Sequence, residues 1–241
     1  MNEKFGNDVD FNFDFNNVDP ASLQTDDTIN AVFILDKSPS MMERLPGAKP
    51  GEPQTRIEAL NAGLNDFTQT MQKSHIADRL LVSVVVFDDK VEVLSGYQPI
   101  VNVKPFNITP ERGMTALYKA CLIGITNAVN YRKNLEDSGI TAKTLVFIIT
   151  DGEDNQSPMD APKVKSLLEQ INKDEKNVFS FTTILFGIGE DSNIEESREA
   201  LGIAKELVAP PATTGAEFRK MINWISSSVS SAATNQSIPS F

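Results

Sequence analysis

Ile29-Asn30-Ala31-Val32-Phe33-Ile34-Leu35 is a short run dominated by apolar and branched side chains, and it breaks at once into Asp36-Lys37-Ser38-Pro39-Ser40-Met41. A run of that length and composition reads as a strand buried on both faces. Behind it, one carboxylate and two hydroxyls stand at alternate positions, where a strand opens into a loop. That spacing aims several oxygens at one point.

Outward from this stretch the chain alternates two periodicities. Residues 41–55 hold Pro46, Gly47, Pro50, Gly51 and Pro53 and form a loop. Residues 56–73 place Ile57, Leu60, Leu64, Phe67 and Met71 at helical spacing. Residues 80–87 (LLVSVVVF) form a strand, Asp88-Asp89 a turn, and residues 91–94 and 97–103 two further strands. Residues 115–131 form a helix with Leu117, Cys121, Ile125 and Val129 inward, and 144–149 (TLVFII) form a central strand. A helix over 161–171, a strand over 178–186, a helix over 194–206, a short edge strand over 207–209 and a last amphipathic helix over 216–230 follow. Apolar strands alternating with amphipathic helices predict an α/β fold: a doubly wound, mostly parallel sheet with helices on both faces.

The chain has 241 residues, 40% of them hydrophobic, which suits one domain with tails. Residues 28–230 are read as the domain and 231–241 as a polar tail. Residues 1–27 carry Glu3, Asp8, Asp10, Asp14, Asp19, Asp26 and Asp27 against Lys4 alone, with Phe5, Phe11, Phe13 and Phe15 interspersed. Their polarity predicts a disordered acidic tail, and the Phe alternation also suits an edge strand formed on binding. A net charge of −11 with no Lys/Arg cluster excludes the usual electrostatics of nucleic-acid binding and of docking on anionic membranes. No apolar run approaches the roughly 20 residues of a membrane helix. The single cysteine, Cys121, forbids an intramolecular disulfide. With no signal-peptide pattern at the start, a cytoplasmic location is the expectation.

Three segments carry chemistry. The first is Asp36-Lys37-Ser38-Pro39-Ser40. The second is Gly113-Met114-Thr115, a glycine turn opening a helix. The third is Thr150-Asp151-Gly152-Glu153-Asp154-Asn155, an acidic turn behind an apolar strand. In a doubly wound sheet, sites form at the carboxyl ends of strands beside the switch in strand order. There Asp36, Ser38, Ser40, Thr115 and Asp151 should converge. The set is oxygen only, without imidazole or thiolate, and so suits a hard cation: magnesium first, with manganese and calcium as the other candidates.

In order and placement, Asp36-x-Ser38-x-Ser40, Thr115 and Asp151-Gly152 resemble the metal-ion-dependent adhesion site of von Willebrand factor A (VWA) domains. The resemblance covers residues 28–230. The layout, with IEALNAGLNDF at 57–67, SVVVFDDKVEV and GMTAL, is similar to that of the bacterial tellurium-resistance-associated VWA proteins, which implies a link to bacterial stress response. The family implies a Rossmann-like sheet and a non-enzymatic module that binds a protein partner through its metal, often by the partner's carboxylate. It also implies that the serines and threonine ligate directly and the aspartates often through water. Pro39 departs from the glycine common in the family, and proline holds φ near about −65°.

Other readings stay open. The site is also compatible with a vestigial VWA loop that merely caps a helix, or with magnesium-dependent phosphoryl transfer. The latter lacks a second acid at position 38 and a lysine or phosphate loop. Gly187-Ile188-Gly189 lacks the third glycine of a dinucleotide fingerprint and reads as a turn. His75, the only histidine, reads as a surface residue, so a Ser-His-Asp arrangement is not expected. Lys37 either meets an incoming anion or is solvated. Trp224 reads as core.

Overall fold

The computed structural model describes residues 15–111, 113–152, 154–173, 180–190 and 193–241. Six strands form one sheet: β1 (Asp27–Asp36), β2 (Leu80–Phe87), β3 (Val91–Pro99), β4 (Thr141–Thr150), β5 (Phe181–Ile188) and β6 (Val208–Ala212). Their order is β3-β2-β1-β4-β5-β6. All neighbours are parallel except β2–β3. The helices are α1 (Arg56–Gln72), α2 (Leu117–Asp137), α3 (Ala161–Lys173), α4 (Ile194–Leu201) and α5 (Gly215–Ala233). This is the expected α/β, Rossmann-like fold of VWA-type topology, with a mixed, mostly parallel sheet between two helical layers.

The strand residues alternate between two cores. Ala31, Phe33 and Leu35 of β1 join Leu60, Leu64 and Phe67 of α1 and Phe218, Ile222 and Ile225 of α5. Val32 and Ile34 join Leu117, Cys121 and Ile125 of α2 and Val164 and Leu168 of α3. Each fully buried apolar side chain is worth about 1.5–3 kcal/mol. The sheet is therefore held from both faces, which is why β1 reads as a continuous apolar run. Phe33 lies edge-on to Phe67 at 5.1 Å and tilted on Phe147 at 5.4 Å. Two glycines set close approaches: a Cβ on Gly63 would lie 2.6 Å from Ile222 of α5, and one on Gly124 would lie 2.7 Å from Ile34 of β1.

Element ends differ from the sequence reading for local reasons. The two strands expected at 91–94 and 97–103 are one antiparallel edge strand, β3, with irregular register against β2, followed by a 3-10 turn, Ile100–Asn102. α4, expected to reach residue 206, stops at Leu201 because Gly202 takes the left-handed conformation at φ +70°, and Ile203 N–H returns to Arg198 O. α2 starts two residues later than expected. Thr115 and Ala116 N–H are held instead by Asn155 Oδ1 and Asp88 O. It also runs on past Tyr131, burying Leu135.

Both ends of the described chain pack on the domain. Asn17 accepts from Tyr97 N–H and donates to Asn127, Val18 exchanges bonds with Tyr97 O and the Tyr131 hydroxyl, and Val18 and Leu23 lie against the α2 core. Phe15 O approaches Gly96 so closely that a Cβ there would overlap it. The Phe11 and Phe13 positions lie outside the described residues. At the other end, Trp224 Nε1 donates to Pro239 O and its indole stacks on Phe241 at 4.0 Å. Trp224 is thus half-buried, covered by the C-terminal segment rather than sunk in the core. His75 is exposed, and Cys121 is fully buried, its thiol pushed up by burial.

Candidate metal centre

The sheet reverses its winding between β1 and β4, which pair in parallel with Leu35 beside Ile149. Their next residues, Asp36 and Thr150, therefore leave the sheet side by side. Asp36 is fully buried. Its Oδ1 accepts from Ser38 N–H at 2.8 Å and its Oδ2 from the Thr150 hydroxyl at 2.7 Å. The Ser38 and Ser40 hydroxyls lie 3.0 Å apart. Pro39 is tolerated because it occupies the first position of a 3-10 turn, Pro39–Met42, where a fixed φ and a missing N–H cost nothing.

Burial first, and the neighbouring Asp151 carboxylate second, push Asp36 up to about 7, against the hydrogen bonds from Ser38 and Thr150. The charged form is thus opposed by desolvation and by a like charge together. Asp151 sits on a turn pinned on both sides. Gly152 N–H donates to the Thr150 hydroxyl, and Gly152 O accepts from Ser197 of α4. Gly152 has φ +116°, and a Cβ there would meet Asn193 N at 2.7 Å, so only glycine fits.

Thr115 is buried just ahead of α2 and is tied to the same turn by two bonds: its N–H to Asn155 Oδ1 at 2.7 Å, and Asn155 N–H to its carbonyl at 3.1 Å. Direct contacts or charge coupling join Asp36, Ser38, Ser40 and Asp151. Thr115 is tied by its backbone to Asn155, which follows Asp151 by four residues in the chain. Asp154 is otherwise engaged: it accepts from Tyr118 N–H and from the Ser157 hydroxyl, and Ser157 in turn accepts from Lys119 N–H. These two residues cap the start of α2 in place of a residue of its own.

Lys37 neither faces an incoming anion nor stands in solvent. Its side chain is 7% exposed and pairs with Asp88 at 3.2 Å, Glu111 at 3.3 Å and Glu92 at 3.6 Å. Burial pulls its ammonium down, but Asp88 and Glu111 outweigh it and hold it above the ordinary lysine range. A second cation escaped the sequence reading. Arg56, the first residue of α1, reaches back to Asp151 Oδ2 and Ser40 O, both at 3.4 Å, and to Glu43 Oε2 at 2.5 Å. The signal for it was an arginine at a helix start, where the helix dipole disfavours a cation and another partner must hold it. Thr150 was missed because its role depends on the β1–β4 register.

Among the described residues no group of three or more His, Cys, Asp or Glu is arranged so that it could hold a metal ion. The donor set here is of another kind: two carboxylates with hydroxyls. Oxygen donors of this kind are those a hard cation takes, and among the described residues Arg56 is a cation that faces Asp151.

No protein-family model matches the sequence, and no curated protein sequence matches it significantly. Solved structures share the fold. The pilus adhesin SpaC from Lactobacillus rhamnosus GG, in its open conformation, matches with a TM-score of 0.60 at 13% identity, over 86% of this chain and 30% of that one. The PilB minor pilin from Streptococcus sanguinis matches with 0.57 at 13%, over 85% and 61%. The ArnB paralog VWA2 from Sulfolobus acidocaldarius matches with 0.51 at 15%, over 81% and 44%. The chain spans less than two thirds of each of these three proteins. These likenesses establish the VWA-type fold. No helix among the described residues is long and apolar enough to cross a membrane.

Proposed function

We propose that this chain is a protein-binding module that holds a divalent cation, magnesium foremost, and presents it to a carboxylate of a partner protein. Asp36, Ser38, Ser40, Thr115 and Asp151 would hold the ion. When bound it supplies an electrophilic position that an outside anionic oxygen can fill. The observation that carries the reading is the buried Asp36 carboxylate. It is fixed by Ser38 and Thr150, beside a second carboxylate, in a cluster of oxygens at the switch of the sheet. Asp36's charge is disfavoured in the metal-free chain, and a dication offsets that penalty directly.

Exposed methionines on the same end of the sheet suit a protein partner. Met42 follows the first loop, Met114 precedes Thr115 and Met159 follows the Asp151 turn, with 56%, 46% and 82% of their surface exposed. Methionine is an adaptable contact residue at protein-binding surfaces. The pilin and adhesin fold relatives agree with such a role. Phosphoryl transfer is disfavoured because both cations beside the site, Lys37 and Arg56, are taken by carboxylates of the chain itself.

The test has two stages. Calorimetry with magnesium should show binding by the parent and none by Asp36→Ala or Asp151→Ala, with circular dichroism nearly unchanged. Capture of partners from the source cell should then depend on magnesium, fail in chelator, and fail for Asp36→Ala. Equal capture in all three conditions would place the partner surface elsewhere.

A further inference from the structure

We propose that the Arg56 guanidinium is an internal cation that shares the Asp151 carboxylate with the divalent ion, so that metal uptake must draw Asp151 away from Arg56. The inference rests on the metal-binding reading above. The geometry is that of a built pocket. The Arg56 side chain is 9% exposed. Its floor is the turn after β5, where Gly189 has φ +88° and a Cβ would lie 2.3 Å from Nη2. Glycine at that position thus makes room for the guanidinium, which accounts for Gly189 without any nucleotide.

The partners of Arg56 are unequal. Glu43 is close at 2.5 Å, and the Arg56 backbone N–H also binds Glu43 O at 3.1 Å. Asp151 and Ser40 O stand at 3.4 Å. The contact on the side of the metal site is therefore the looser one and the first to yield. Asp151 gains in the metal-free chain, because a guanidinium offsets its repulsion with Asp36. A dication at the same carboxylate meets that guanidinium as a like charge a few ångströms away, an interaction that a largely water-excluded setting strengthens.

Arg56 also joins the site to the loop of residues 43–55. That loop is closed at its base by the Arg44–Thr55 bridge, by Leu45 N–H to Gln54 O, and by Glu43 N–H to Ser40 O. Glu43 is the link, since it holds both the backbone and the side chain of Arg56. Metal occupancy is thereby coupled to the loop that stands beside the partner-facing end of the site.

The test measures magnesium affinity by calorimetry for the parent, Arg56→Gln and Glu43→Gln, with melting temperature in chelator and in saturating magnesium. Arg56→Gln should bind magnesium about tenfold more tightly than the parent. Its melting temperature should fall below the parent's in chelator, and magnesium should close that gap. Glu43→Gln, at an exposed side chain, should fold normally and bind magnesium several-fold more weakly, because Arg56 is then left to Asp151. Unchanged or weaker binding by Arg56→Gln, with a parent that binds, overturns the inference and leaves the metal site standing. If Arg56→Gln does not fold, an unchanged affinity in Glu43→Gln overturns it. Binding by Arg56→Gln with none by the parent supports the inference and removes the metal reading for the native chain. Absence of binding in all variants overturns both.

Discussion

At the scale of single residues, the centre is governed by one carboxylate kept away from water. Asp36 is raised to about 7 in the folded chain from an ordinary 3.8, by burial and by Asp151. A raised acid means that the folded chain holds the proton more tightly than the unfolded one. The metal-free fold is therefore most stable below pH 4 as far as this group is concerned, and loses that contribution as pH rises from about 4 to about 7. In chelator, urea midpoints should fall across that window for the parent and should fall less for Asp36→Asn. Equal slopes would mean that Asp36 is not the group responsible. The sequence showed which residues carry oxygen but not this penalty, because desolvation depends on what the other strands bring over Asp36. Arg56 and Thr150 were hidden for the same reason: their partners lie 95 and 114 residues away in the chain.

At the scale of elements, the packing of α1 on α5 turns on Gly63. Replacing a helical glycine by alanine gains up to about 1 kcal/mol of propensity, but the new Cβ would stand 2.6 Å from Ile222 Cγ1. For Gly63→Ala the two effects nearly cancel, since the atom it meets belongs to a side chain that can shift. For Gly63→Val the overpacking of about 1–3 kcal/mol wins. Urea unfolding should show Gly63→Val destabilised by that amount and partly restored by Ile222→Ala in the same chain. No restoration would mean that the contact is not the source. Strand and helix identities were legible from period alone, as in 29–35 and 56–73. Their ends were not. α4 ends at Gly202 through a left-handed glycine that could equally have sat inside a longer periodic run, and the α2 start is fixed by Asp154 and Ser157 of another loop.

At the scale of the whole molecule, the domain is closed by its two flanking segments. Residues 15–23, read from composition as part of an acidic tail, place Val18 and Leu23 against the α2 core and bind the stacked Tyr97–Tyr131 pair, whose centroids are 4.2 Å apart. Deleting residues 1–24 should therefore lower the melting temperature by about 4–8 °C, as a loss of about 2 kcal/mol does in a chain of this size. Deleting residues 1–14 alone provides the control that separates the two parts. A shift under about 2 °C for the longer deletion would mean that these contacts contribute little.

The sequence by itself determined the class of fold and which oxygen-bearing residues stand at the strand ends of the candidate centre. Periodicity and apolar runs are local properties, and so are the Asp36-x-Ser38-x-Ser40 spacing and the Asp151-Gly152 turn. Only the tertiary structure decided what those oxygens meet. The β1–β4 register puts Thr150 on Asp36, the turn after β5 makes room for Arg56 beside Asp151, and Asp88, Glu92 and Glu111 take Lys37 out of play. Charge and burial act through space, and the chain order carries no record of which distant residues a fold will bring within a few ångströms.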